Sequence, residues 1–240
     1  MKLDALVIAA HPDDAEISVG GTILRLVDAG KRVGVLDLTR GELGSRGSRA
    51  ERDREAERAT ELMGLAWREN LDLPDGRVVA DVAARERVAA HLRATAPDLV
   101  LAHHVVDLHP DHVAAGRLAR EAWYLAGLKR LAEAAGDAPA RRPRRLLHYQ
   151  GHVTFEPTYV VDIGAVWERK VEVIRAYQSQ LEPADASDRG EHFLAGADIL
   201  RRAEARARTA GQSIGIAFGE ALLAAGPLAA GPGTLLGELG

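Results

Sequence analysis

The chain has 240 residues, 47% hydrophobic and 28% charged, a length that suits one α/β domain whose sheet is covered on both faces. Its 31 basic and 35 acidic side chains give a formal net charge of -4, which offers no electrostatic basis for binding nucleic acid. Cysteine is absent, so disulfides, thiolate metal sites and cysteine nucleophiles are excluded, and a metal ion must be held by His, Asp, Glu or water. The N-terminal apolar run is interrupted by Asp4, and no stretch approaches the ~20 apolar residues that a spanning helix needs. A cytoplasmic protein with no membrane partner is the expectation.

In chain order, the short apolar run 3–9 predicts a buried parallel strand. The helical spacing of Ile17, Ile23, Leu24 and Val27 predicts a helix over 16–29, stopped by Gly30. A second strand is expected at 33–38, followed by a polar, glycine-bearing loop long enough to carry function. A charged helix over 50–64 ends at Gly64, and a strand at 67–73 and a helix at 82–95 come next. A fourth strand at 98–102 runs directly into HHVVDLHPDH, and a helix follows from about 111 to 126. The Ala-, Pro- and Arg-rich stretch 134–145 is expected to be a surface loop. Strands near 145–150 and 158–162, a helix near 164–177 and a charged helical stretch over 191–209 complete the pattern. Residues 1–224 are expected to form a single domain, and residues 225–240, mostly Gly, Ala, Leu and Pro, a loose tail. Alternating strands and helices imply βαβ units, hence an α/β, Rossmann-like three-layer sandwich with a mostly parallel sheet.

Two segments carry the chemistry. AAHPDDAEISVGGT (9–22) and DLHPDH (107–112) each follow the C-terminal end of an expected parallel strand, where open α/β sheets bind ligands. Asp13 and Asp14 place two carboxylates in a small volume, and they repel unless a cation or separate tasks accommodate them. His11 and Asp14 suit a metal, leaving Asp13 as a base; the bland alternative is that either carboxylate merely caps the next helix. His112 adds a third ligand, and three protein ligands plus water is a common catalytic zinc set. His109 and Asp111 form a His–carboxylate pair nearby. Glu16 is read as first-turn helix chemistry, and Gly20 and Gly21 as sites of close helix packing or substrate approach. His103 and His104 are read first as hydrogen-bonded structural histidines, and His148 and His152 as non-ligands.

HPDDAEISVGGT resembles the signature of the LmbE-like (PIG-L) family of N-acetylglucosamine deacetylases, and HPDH matches its second motif. The likeness extends through ERDREAERATELMG (51–64), ENLDLPDG (69–76), FEPTYVVDI (155–163) and IGIAFGE (214–220), and within the family looks most like the deacetylase of bacillithiol biosynthesis, which acts on N-acetylglucosaminyl malate. The resemblance implies that His11, Asp14 and His112 ligate the metal, Zn2+ or alternatively Fe2+, and that Asp13 is the general base. It implies further that His109 stabilises the tetrahedral intermediate with Asp111 as its orienting partner, and that Arg52 contacts substrate. It also implies an amino-sugar substrate and a homo-oligomer, a hexamer or a smaller assembly. Two positions depart from the branch: Leu108 stands where arginine is common, and Phe218 where tyrosine is.

The reaction expected from these roles is hydrolysis of an acetamide, with Asp13 taking a proton from water and a protonated His109 stabilising the oxyanion. Arg52 could grip a malate carboxylate or simply join ion pairs on a charged helix. Competing readings are another N-acetylglucosamine conjugate, such as the mycothiol precursor or a chitin fragment; a non-catalytic metal- or sugar-binding module; and a non-haem iron oxygenase, whose facial triad uses the same donors.

Overall fold

A computed structural model describes residues 1–44, 47–181 and 198–227. Five strands, β1 (Ala5–Ala9), β2 (Val33–Asp37), β3 (Trp67–Asn70), β4 (Leu99–His103) and β5 (Arg145–Tyr149), run parallel in the spatial order β3-β2-β1-β4-β5. β6 (Tyr159–Asp162) and β7 (Gly219–Ala224) extend the sheet beyond β5, with β7 antiparallel to both of its neighbours.

The period of two along β1 builds the layers. Ala5, Val7 and Ala9 face one apolar cluster with residues of α1 (Asp14–Asp28), α2 (Arg49–Met63), α6 (Trp167–Arg175) and α8 (Asp198–Gln212). Leu6 and Ile8 face the other, with residues of α3 (Val82–Thr95) and α4 (Pro110–Leu125). The sheet is therefore covered on both faces, and the expected mostly parallel α/β sandwich is what forms. No helix among the described residues is long and apolar enough to cross a membrane.

Local chemistry explains several boundaries. Ser48 and Glu51 close a capping box at the start of α2, and Gly64 ends that helix in the left-handed conformation. The third strand stops at Asn70 rather than continuing to 73. The helix expected at 164–177 is divided into a short 3-10 turn (Gly164–Val166) and α6, with α7 (Gln178–Leu181) beyond it. Two elements escape a reading by periodicity: α5 (Lys129–Ala135), which is only seven residues long and reaches into the stretch expected to be loop, and β7, whose GEALLA sequence favours a helix by propensity. α8 begins at Asp198, and residues 191–197 of the expected helix lie outside the described residues, as do residues 228–240 of the expected tail.

α1 is broken at Val19, whose φ of -135° is not helical. Its second half starts against β7: Glu220 accepts from the amides of Gly21 (2.9 Å) and Thr22 (2.6 Å) and from the Thr22 hydroxyl (2.6 Å). Lys170 donates to the same carboxylate at 2.6 Å, and burial pulls its ammonium below the ordinary value. A Cβ on Gly21 would lie 2.7 Å from Ile163 Cγ2 and 2.9 Å from Glu220 Oε1, so close packing is the reason for glycine there. At Gly20 a Cβ meets only ordinary contacts, the nearest at 3.6 Å. Replacing Glu220 by Ala strands a buried ammonium and two helix amides. The expected loss is about 3–5 kcal/mol of stability, read from urea unfolding; an unchanged midpoint would show that the anchor is dispensable.

Candidate active site

The sheet order places β1 beside β4 with Ile8 opposite Ala102, while the connections from these strands depart to opposite sides. This is a topological switch point, and the loops leaving the two strands meet there. The first loop carries His11, Asp13 and Asp14; the second carries Asp107, His109, Asp111 and His112.

Asp14 is the hub. Its Oδ2 accepts from the His11 amide at 2.9 Å and lies 3.2 Å from His11 Nδ1 and 3.2 Å from His103 Nε2, and its Oδ1 lies 3.2 Å from His112 Nε2. Burial pushes this carboxyl up, but the His112 and His103 charges outweigh it and hold Asp14 well below its ordinary value. Neither aspartate serves as a simple cap: Asp13 occupies the N-cap position of α1 without a side-chain capping bond, and the Asp14 carboxylate is engaged by imidazoles.

His11 and His112 are each backed by carboxylates on the ring nitrogen that turns away from Asp14. His11 Nε2 lies 3.1 Å from Asp75 Oδ1 and 3.4 Å from Asp111 Oδ2, and His112 Nδ1 lies 3.1 Å from Asp107 Oδ1. Burial pulls both imidazoles down, yet Asp111, Asp14 and Asp75 hold His11 well above its ordinary value, and Asp14 and Asp107 hold His112 up at about 9. A cluster with so high a proton affinity has negative charge to spare for a cation.

The donors fit a divalent metal. Ligand atoms of His11, Asp14 and His112 lie within 4.8 Å of one another. A tetrahedral ion with bonds of ~2.0–2.1 Å needs donors roughly 3.3–3.4 Å apart, close to the 3.2 Å separations at Asp14. Carboxylates behind two imidazoles are the usual support for histidine ligands, since they fix the tautomer and aim the free nitrogen.

Asp13 stands beside this cluster with φ 111°, a conformation that non-glycine residues rarely adopt. Burial, with the Asp14 charge added, pushes its carboxyl up to about 7 against the pull of Arg52. Arg52 is 4% exposed, and it donates to Pro12 O at 2.6 Å and Gly41 O at 3.0 Å, with Nη2 3.6 Å from Asp13 Oδ2. The guanidinium lines the cavity, but its terminal nitrogens are committed to holding the strained Pro12–Asp13 corner.

His109 is placed differently from expectation. Its Nδ1 accepts from the Asp111 amide at 3.1 Å, so a neutral ring carries its proton on Nε2. Burial and the His11 and His112 charges lower its pKa, which opposes a permanently protonated His109. The Asp111 carboxylate is not the partner of His109 in a charged pair; it accepts from the amides of Gly76 (2.7 Å) and Val78 (3.1 Å) and faces His11. Glu16 is more than first-turn chemistry: it is fully buried and accepts from Arg68 at 2.7 Å and from the Tyr177 hydroxyl at 2.9 Å.

Sequence reasoning passes over Asp75, Asp107 and Gly151, and reads His103 only as a hydrogen-bonded structural histidine. Asp107 accepts from the amides of His109 (2.9 Å) and His152 (2.7 Å) and lies 2.8 Å from His152 Nδ1; with His112 foremost, these contacts hold it far below its ordinary value against burial. Its position two residues before HPDH is the only signal in the sequence. His103 is buried, and because its Nδ1 has no partner, its Nε2–H is the natural donor to Asp14. His148 is tied by Nδ1 to His103 O at 2.6 Å and supports the strand end rather than the cluster.

A profile described as GlcNAc-PI de-N-acetylase (PIG-L) matches residues 6–123. Diacetylchitobiose deacetylase from Thermococcus kodakarensis is 32% identical over 199 residues, which is 79% of this chain and 74% of that protein. The chain belongs to the PIG-L (LmbE-like) family. Another relative, 4-oxalmesaconate hydratase from Pseudomonas putida, is 31% identical over 73% of each chain. A conserved protein from Thermus thermophilus shares the fold with a TM-score of 0.84 and 36% identity, over 96% of this chain and 98% of that one. Both family motifs lie in the matched region and supply His11, Asp14 and His112, while His103 and Asp75 of the same cluster lie outside the motifs.

Gly151 tests this geometry. A Cβ there would lie 2.4 Å from Asp107 Oδ2 and 2.9 Å from His112 Nδ1. Gly151→Ala should therefore misalign the carboxylate behind His112 and weaken divalent-metal affinity by roughly 10–100-fold in a chelator competition, with little change in secondary structure. Unaltered affinity would separate His112 from metal binding.

Proposed function

We propose that this protein is a metal-dependent deacetylase that hydrolyses the acetamide of an N-acetylglucosaminide to acetate and a free amino sugar, with N-acetylglucosaminyl malate as its substrate. The observation that carries the reading is the trio His11, Asp14 and His112, each imidazole backed by a carboxylate, set beside an acid already poised near neutrality. The trio opens onto a cavity of about 1070 Å³, room for a glycoside of two units. The diacetylchitobiose deacetylase relative supports amide hydrolysis, and the match to the GlcNAc-PI de-N-acetylase family supports the sugar.

His11, Asp14 and His112 hold the metal, which we take to be Zn2+; Fe2+ suits the same donors. A bound divalent ion lowers the pKa of water toward neutrality and polarises the acetamide carbonyl. Asp13 accepts the proton of the attacking water as its oxygen bonds to the carbonyl carbon. The neutral His109 donates its Nε2–H to the carbonyl oxygen as negative charge grows there, a contribution of about 3 kcal/mol per donor. The C–N bond then breaks, and Asp13 returns the proton to the departing amine. Arg52 and the left-handed corner keep the Asp13 carboxylate aimed inward throughout. Asp111 acts by orienting His11 and fastening the loop at Gly76, and Asp107 by orienting His112.

The hydratase relative supports a second reading, because a base and an activated water also hydrate an unsaturated acid. Acetate release decides between the two. Turnover of N-acetylglucosaminyl malate, measured beside free N-acetylglucosamine and diacetylchitobiose, should be restored by Zn2+ and abolished by chelator. Release from the neutral sugars alone would keep the deacetylase and remove malate; none from any of the three with metal bound would favour hydration. Asp13→Asn should lower kcat by roughly 10²–10⁴-fold while metal content stays the same, and a variant that retains full kcat would remove Asp13 from the proton path.

A further inference from the structure

His103 closes β4 on the face of the sheet that carries α1, two residues beyond Leu101 of the same apolar cluster. It is fully buried and forms no part of the cavity lining, whereas its neighbour Asp14 does line the cavity. Two rings hold it: His112 stacks on it with centroids 4.0 Å apart and planes at 20°, and Tyr149 packs against it at 4.6 Å. Its backbone is equally fixed, since His148 Nδ1 donates to His103 O at 2.6 Å and a Cβ on Gly116 of α4 would lie 2.6 Å from the same oxygen. An imidazole so placed touches no substrate, and its Nδ1, buried without a partner, destabilises the fold. An apolar ring would fill the same space without that penalty. What the imidazole adds is an Nε2–H aimed at Asp14 Oδ2, 3.2 Å away.

The two oxygens of Asp14 are thereby made unequal. Oδ2 accepts from the His11 amide at 2.9 Å and from His103 Nε2, two donors that do not depend on a metal and that occupy its two lone pairs. The other neighbours, His11 Nδ1 at 3.2 Å from Oδ2 and His112 Nε2 at 3.2 Å from Oδ1, are themselves metal donors. We infer that His103 is a positioning residue that reserves Asp14 Oδ1 for the metal and so holds this carboxylate to a single bond. This rests on the reading of His11, Asp14 and His112 as the metal ligands, and it is independent of which substrate is hydrolysed. A carboxylate that binds through one oxygen leaves a divalent ion a coordination position for water. Without the His103 donor, Oδ2 turns to the same ion and takes that position.

Loading the full-length protein with Co2+ in place of Zn2+ reads the coordination number without turnover, because four-coordinate cobalt absorbs visible light far more strongly than five- or six-coordinate cobalt. The wild type should show the intense four-coordinate band. His103→Phe keeps a ring to stack on His112 and removes the donor. It should lose most of that band and bind Zn2+ roughly 10–100-fold more weakly in a chelator competition. His103→Gln, whose side-chain amide reaches the place of Nε2, should restore the band and most of the affinity, a rescue that a space-filling role does not produce. Melting temperatures identify a misfolded Phe variant, and His103→Asn, whose amide stops at the place of Nδ1, then stands in for it. A Phe or Asn variant with the wild-type band and affinity, a Gln variant as impaired as Phe, or a wild-type spectrum of five or six coordination overturns the inference and leaves the ligand trio standing. Failure of the wild type to bind either ion, or binding unchanged in His112→Ala, overturns the trio itself and the inference with it.

Discussion

The cavity depends on keeping the Asp14 carboxylate ionised where water is largely excluded. An isolated buried carboxylate neutralises itself by taking up a proton. Here His11, His103 and His112 converge on it, and the imidazoles of His11 and His112 are in turn held by Asp75, Asp107 and Asp111. The result is an alternating lattice of carboxylates and imidazoles in which no group can move alone. Its negative charge exceeds what neutral imidazoles balance, and a divalent cation resolves the excess while preserving the geometry.

The lattice spans parts of the chain that share no local structure. The loop after β1 brings Asp14, the loop after β4 brings Asp107 and His112, the segment after β3 brings Asp75, and the residues following β5 close over Asp107 with Gly151 and His152. Four strand ends therefore fix one centre, each pinned by backbone amides donated to a carboxylate. The buried Glu220–Lys170 anchor adds rigidity from β7 by seating the second half of α1. Within the site, strain sits at Asp13, where the left-handed backbone turns a carboxylate toward the cavity and Arg52 holds the corner.

The family to which the chain belongs includes relatives named for amide hydrolysis and for hydration. Both reactions need an activated water, a base and a donor for developing charge, and the groups proposed for these tasks stand on the loops around Asp14. Beyond these loops, α8 forms one wall of the cavity, packed by its alanine face and contributing Arg202 and Arg206 to the lining.

The sequence by itself determined the strands β1, β2 and β4, because each is a short apolar run buried on both faces, and it determined the two motifs, because HPDD and HPDH stand just beyond strand ends. It could not assign the register between loops. That His11 and His112 share Asp14 follows from β1 pairing with β4, a contact between segments about a hundred residues apart. Periodicity could not show β7, whose alanines and leucines suit a helix until an open sheet edge at β5 recruits them. Nor could it show that Arg52 donates to the Pro12 and Gly41 carbonyls, that His109 Nδ1 accepts from the Asp111 amide, or that Asp107 and Gly151 stand behind His112. A side chain's partners and its pKa are set by burial and by groups distant in the chain, and only the tertiary structure brings those groups together.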